Sequence, residues 1–130
     1  MTAKPKYLAL ATDYDGTIAQ HGYVTEATHA ALIRWKEAGR KLIMVTGREI
    51  PDLQKVCPFT KLFDCIVGEN GAVLYWPAKG ETKVLAAAPP HEFIASLRAR
   101  GVSPLSLGKV IVATQENYKG VVLETIEDLG

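Results

Sequence analysis

The chain has 130 residues, a formal net charge of +1, 48% apolar residues and 22% charged ones. That length allows one ordinary domain and excludes two large ones. The even charge balance removes the electrostatic case for nucleic acid or an anionic membrane as partner.

Tyr7 to Thr12 (YLALAT) is a short apolar run without a polar face. It predicts a strand buried on both faces, as in a parallel sheet. Residues Asp13 to Val24 read as a loop. Thr25 can cap a helix over 26–38. Ala27, Ala31, Leu32, Ile33, Trp35 and Ala38 form its apolar side, Arg34, Lys36 and Glu37 its wet side, and Gly39 stands just past its end. Lys41 to Thr46 (KLIMVT) is a second buried strand. GREIPDLQKVC follows as a short helix, with Pro51 in its first turn. Cys65 to Gly68 is a third strand. The order β-α-β-α-β implies parallel strands with right-handed crossovers. Asn70-Gly71 is a hairpin turn signal, returning the chain as an antiparallel strand over 72–76, which a strand over 83–88 extends.

Pro89-Pro90 breaks the chain and divides it into residues 1–88 and residues 89–130. The second part reads as a helix over 91–100 ended by Gly101, a loop over 102–108, a strand over 109–114 and a helix over 116–129. That last helix aligns Val121, Val122, Thr125, Ile126 and Leu129 along one side. Cys57 and Cys65 lack a CxxC spacing and read as reduced, buried thiols. His21, His29 and His91 share no metal-ligand spacing. YLALA is too short for a signal or membrane segment, so a cytoplasmic location is the default expectation.

Chemistry concentrates where the first two strands end. In extended chain, Asp13 and Asp15 point to one side, about 7 Å apart. The carboxyl end of a parallel strand is where open α/β sheets bind ligands. Two carboxylates that close repel unless one is protonated or a cation joins them, and Mg²⁺ suits oxygen ligands beside a phosphate. A solvated Asp15-Gly16 turn is the plain alternative. One crossover places Thr46 and Gly47 next to Asp13. A hydroxyl and backbone N–H groups at a helix start make a phosphate seat. Thr46 as a simple helix cap is compatible with that. Arg48 is a further candidate for the phosphate, with an exposed helix arginine as its alternative. Glu69 and Asn70 read as a polar turn.

LALATDYDGTI resembles the first motif of the haloacid dehalogenase-like (HAD) hydrolase superfamily, and IMVTGR resembles the second. GENGAVLY is similar to the hairpin of the capped subclass IIB, which includes sugar-phosphate phosphatases. The resemblance spans residues 7–76. It implies a Rossmann-like three-layer α/β/α core with a parallel sheet, a β-hairpin and the beginning of an α/β cap. It further implies a Mg²⁺-dependent phosphatase acting on a small phosphorylated metabolite such as a sugar phosphate. By position, Asp13 would be the nucleophile that forms an aspartyl phosphate, and Asp15 the general acid and base. Asp13 and the Asp15 backbone carbonyl would hold Mg²⁺, and Thr46 with Gly47 the phosphoryl oxygens.

The family's third motif, a lysine, and its fourth, a Gly-Asp-x-x-x-Asp-like cluster, have no convincing match in this sequence. TIEDLG has the wrong order, and Lys109 and Lys119 fall in the cap-like part. The expectation is therefore the front part of a larger hydrolase, inactive as an isolated chain. The first strand's edge is then expected to be covered by Val110 to Ala113 or to pair with a second copy. The alternative is a non-catalytic HAD-like dimerisation or regulatory module.

Overall fold

The computed structural model describes residues 6–130. Two compact units divide it, one ending at Leu85 and one running from Ala86 to Gly130. In the first, five strands form one sheet in the order β1 (Ala9–Asp13), β2 (Lys41–Val45), β3 (Cys65–Gly68), β4 (Val73–Trp76) and β5 (Glu81–Val84). β1, β2 and β3 are parallel, and β4 and β5 continue the sheet antiparallel. Helices α1 (Glu26–Glu37) and α2 (Ile50–Val56) make the two crossovers. The α/β fold expected from the run order is thus present, with the sheet parallel over its first three strands.

Thr25 caps α1: it has extended backbone, and its Oγ1 accepts the Thr28 N–H at 3.3 Å. Pro51 stands in the first turn of α2, where its missing N–H has no partner to lose. Successive right-handed crossovers in a sheet growing in one direction place both helices on the same face. Residues alternate accordingly. Leu42, Met44 and Ile66 lie in register on the covered face and are fully buried. Leu32 of α1 and Leu53 of α2 complete that core. Ile50 closes against β3, where a Cβ on Gly68 would come within 2.7 Å of its Cδ1.

The expectation of strands buried on both faces fails for β1 and β2. In β1 only Thr12 is buried, and Leu8 and Leu10 are 69% and 36% exposed. β2 alternates between buried Leu42 and Met44 and exposed Lys41 and Val45. The reason is position: β1 is the terminal strand of the sheet, and the helices cover one face. Helix α1 is also rotated from its expected register. Ala27, Ala31 and Ala38 are exposed, whereas Lys36, assigned to the wet side, is half-buried. Its Nζ donates to both Asp64 oxygens at 2.8 and 2.7 Å. The same carboxylate accepts the Leu42 N–H at 2.8 Å, which ties α1 to the start of β2 and the chain entering β3.

The hairpin exists, with Gly68 paired to Val73, so four residues rather than two make its loop. The strand expected over 83–88 lies at Glu81–Val84. Cys57 is buried and Cys65 half-buried, both as free thiols. His29 stacks on Phe59 with ring centroids 4.0 Å apart.

In the second unit, α3 (His91–Ala99) packs on α4 (Lys119–Leu129). Leu97 and Thr125 are buried there, and Arg100 pairs with Asp128 at 2.6 Å. Of the apolar side assigned to the last helix, Ile126 and Leu129 are exposed. A two-stranded sheet joins β6 (Ser106–Leu107) to β7 (Val112–Ala113). The strand expected over 109–114 is thus shortened, and a loop residue pair becomes its partner. The partner that β7 takes within its own unit is β6.

Candidate active site

β1 ends at Asp13, directly across from Val45, which is in turn across from Val67. The three strand ends and the loops after them enclose an open cleft of about 300 Å³, lined by Asp13, Val45, Thr46, Gly47, Asn70 and Gly71. It lies at the carboxyl edge of the parallel strands, as open α/β sheets place their ligand sites.

The segment after β1 is more ordered than a loop reading suggests. Tyr14 is fully buried, and its O–H donates to the Gly22 carbonyl at 2.7 Å. Burial, with Cys57 beside it, pushes the Tyr14 phenol up to about 12. The Tyr14 carbonyl accepts the N–H groups of Ile18 and Ala19 at 3.2 and 2.9 Å, closing one helical turn. Gln20 and Tyr23 then exchange two backbone hydrogen bonds around His21 and Gly22, whose φ values are 53° and 86°. Two successive positive φ angles in a two-residue turn match the twist of a tight hairpin. Buried Tyr14 therefore anchors the chain between the two aspartates, and Asp13 and Asp15 are turned outward.

Asp13 is exposed at the cleft, and the Thr17 hydroxyl donates to its Oδ2 at 3.2 Å. Thr46 is buried, with its N–H on the Val67 carbonyl at 2.8 Å, so it continues β2. Its Oγ1 accepts the Arg48 N–H at 3.1 Å, and the hydroxyl also carries a donor hydrogen. Helix α2 begins only at Ile50, with Glu49 as its N-cap residue. Thr46 and Gly47 thus lie in the connecting loop, not in the first turn of a helix, which corrects the expected helix-start seat.

Two further expectations change. The structure brings Asp13, Thr46 and Gly47 together, but Asp15 does not line the cleft. The strand ends at Asp13, so the i, i+2 alternation does not extend to Asp15. Arg48 takes it instead: Nε meets Asp15 Oδ2 at 2.7 Å and Nη2 meets Oδ1 at 2.9 Å. Nη1 of the same guanidinium binds Asp52 Oδ2 at 2.8 Å. Arg48 is therefore engaged by two carboxylates and does not line the cleft as a phosphate ligand. Its hydrogen bonds hold the Asp15 carboxyl below the usual carboxylate range, against an opposing push from partial burial.

The sequence reading gave Asn70 no place at the site, yet it lines the cleft. Its φ of 56° and ψ of 33° are left-handed, a conformation asparagine tolerates better than most residues. The Asn70 N–H donates to the Thr46 carbonyl at 3.2 Å, and the Glu69 N–H to the Arg48 carbonyl at 3.0 Å. Those bonds clamp the hairpin loop on the exit of β2. The only signal in the sequence was the Asn-Gly pair, which speaks of a turn and not of the cleft it borders.

For a metal, the available donors are the Asp13 carboxylate and the Asp15 carbonyl, which accepts no backbone hydrogen bond among the described residues. These are hard oxygens of the kind Mg²⁺ takes, with water and substrate completing its octahedron. Among the described residues no group of three or more His, Cys, Asp or Glu side chains is placed to hold a metal by itself.

Residues 10–104 match the family model described as haloacid dehalogenase-like hydrolase. No curated protein sequence matches significantly. Among solved structures, Thermoplasma acidophilum 0175 is similar at 17% identity and a TM-score of 0.69, over 95% of this chain and 58% of that one. The HAD subclass IIB sugar phosphatase BT4131 gives 23% identity and 0.58, over 92% and 49%. The HAD-superfamily phosphatase BT1666 of Bacteroides thetaiotaomicron gives 21% and 0.61, over 96% and 50%. The chain thus spans about half to three-fifths of the length of these structures, and at such identities the likeness shows a shared fold. With its family match over residues 10–104 and its cleft at the ends of β1 and β2, the chain belongs to the haloacid dehalogenase-like hydrolases.

Proposed function

We propose that this chain carries the nucleophile side of a Mg²⁺-dependent phosphohydrolase site for a small phosphorylated metabolite such as a sugar phosphate. The observation that carries this reading is the cleft that Asp13, Thr46 and Gly47 line together. Asp13 attacks phosphorus, the ester oxygen leaves, and an aspartyl phosphate forms. The Thr46 O–H and Gly47 N–H donate to phosphoryl oxygens as charge builds on them. Thr17 holds the Asp13 oxygen that it hydrogen-bonds, leaving the other oxygen to react. Asp15 gives its proton to the leaving oxygen and takes one from the water that hydrolyses the intermediate. Bound by Arg48, Asp15 is set as a base, so its acid role requires it to leave that pair. Mg²⁺, held by Asp13 and the Asp15 carbonyl, would neutralise charge between the phosphoryl group and the nucleophile.

The test is beryllofluoride, which mimics a phosphoryl group on a carboxylate. With Mg²⁺, the expected result is a protein-bound ¹⁹F signal that disappears in Asp13→Asn. A bound signal that survives the substitution would place the chemistry elsewhere.

A second reading, a non-catalytic module that pairs with a second copy, is favoured by the open outer edge of β1. Tyr7 and Leu8 are 62% and 69% exposed there. Mg²⁺ titration separates the two, because a pairing module needs no metal at Asp13.

A further inference from the structure

Asp52 binds Arg48 and has no part in the chemistry above. Its Oδ2 accepts from Arg48 Nη1 at 2.8 Å. The four-residue spacing resembles an ordinary ion pair along one helix face, but the backbone rules that out. Helix α2 begins at Ile50, and Glu49 before it is extended, with φ −65° and ψ 146°. Arg48 therefore reaches from the loop onto α2, and Asp52 receives it from the first turn of that helix.

A guanidinium is planar and its donors form a fixed fork. Asp15 takes the Nε–Nη2 edge with both oxygens, at 2.7 and 2.9 Å. Asp52 takes the remaining nitrogen, Nη1. With all three nitrogens engaged, the group cannot turn about its Nε–Cζ bond without breaking a hydrogen bond. The hairpin turn lies against the same group: a Cβ on Gly22 would stand 3.8 Å from Nη2 and 3.7 Å from Val56 Cγ1. Tyr14 holds that turn through the Gly22 carbonyl at 2.7 Å. Arg48 is thus fixed between the turn after β1, the hairpin and α2. Asp15, which does not line the cleft, is held where that guanidinium puts it.

We propose that Asp52 is a positioning residue for Asp15: by holding Nη1 it fixes the edge of Arg48 that keeps the Asp15 carboxylate outside the Asp13 cleft. Asp15 enters the cleft by giving up Arg48, and Asp52 keeps the guanidinium in place meanwhile. Once Asp15 has given its proton to the leaving oxygen, it is again the carboxylate that this edge binds. The acid and base role of Asp15 rests on the phosphohydrolase reading; the placement of its carboxylate is measured without a phosphoryl group.

The test reads the Asp15 side chain by NMR in the full chain, from its Hα–Hβ couplings. Wild type shows one χ1 rotamer. Asp52→Ala lowers the ratio of that rotamer to the others about three- to tenfold, the range for one hydrogen bond. Asp52→Asn keeps an acceptor oxygen for Nη1 and stays within about twofold of wild type. Arg48→Met averages the rotamers as well, and adding Asp52→Ala to it changes nothing more, because the effect passes through the guanidinium. Couplings that ignore Asp52→Ala would overturn the proposal, as would Asp52→Asn behaving like Asp52→Ala. A further change in the Arg48→Met background would overturn it too, since Asp52 would then act through α2 and not through Arg48. A wild-type chain that binds no beryllofluoride, with these couplings as expected, removes the acid and base role of Asp15 and leaves its placement by Asp52 standing.

Discussion

Arg48 commits its guanidinium to Asp15 and Asp52, and that arrangement decides what Asp15 does at rest. A bidentate arginine stabilises the ionised carboxylate. Arg48→Met should return the Asp15 carboxyl upward toward the ordinary range, read by ¹³C titration of the side chain. Both partners are partly solvated, so the stability lost is only about 1 kcal/mol by urea unfolding. Tyr14→Phe should cost more, about 1–2 kcal/mol, because it leaves the buried Gly22 carbonyl without its donor. Asp13, Thr46 and Gly47 were legible in the sequence because each stands at or just past the end of an apolar run, a local signal. The Asp15–Arg48 pair was not, because its partners are 33 residues apart and meet only once α2 is docked. Asn70 was misread for a related reason: a turn residue's neighbours belong to another strand.

Among the elements, the staple at Asp64 sets a pH dependence. Burial alone would raise its carboxyl, but Lys36, the Leu42 N–H and Lys41 outweigh that and hold it below the usual carboxylate range. A carboxyl depressed in the folded state stabilises the fold above its unfolded pKa, and that contribution is lost as pH falls through the folded value. Wild-type stability should therefore decline on acidification in that window, and Asp64→Asn should flatten the decline while lowering neutral-pH stability by about 1–2 kcal/mol. A mutant curve parallel to wild type would contradict the assignment. Strand order and the Thr25 cap were readable because run length, alternation and capping are written locally. The exposure of β1 was not, because an apolar run does not say whether it is central or terminal. β6 escaped because two residues carry no periodicity.

For the molecule as a whole, the outer edge of β1 is unpaired among the described residues, and Tyr7, Leu8 and Leu10 are exposed beside it. An unpaired apolar edge invites pairing with another chain. Light scattering should show self-association that Leu10→Lys abolishes; a wild-type chain that stays monomeric with concentration would contradict this. Turnover needs more than a nucleophile and a phosphate seat. The sequence offers Asp13 no matching lysine or acidic metal cluster, and loss of one such electrostatic group costs on the order of 10²–10³ in rate. The chain by itself should give no Mg²⁺-dependent turnover of p-nitrophenyl phosphate above background, and turnover abolished by Asp13→Asn would refute that. Binding does not require turnover, so it tests a phosphoryl site at Asp13 most directly. In a titration with inorganic phosphate and Mg²⁺, the amides of Thr46 and Gly47 should shift together and saturate, and Asp13→Ala should remove the metal-dependent part. Shifts that bypass these two amides, or that are indifferent to Asp13, would contradict a phosphoryl site at the ends of β1 and β2.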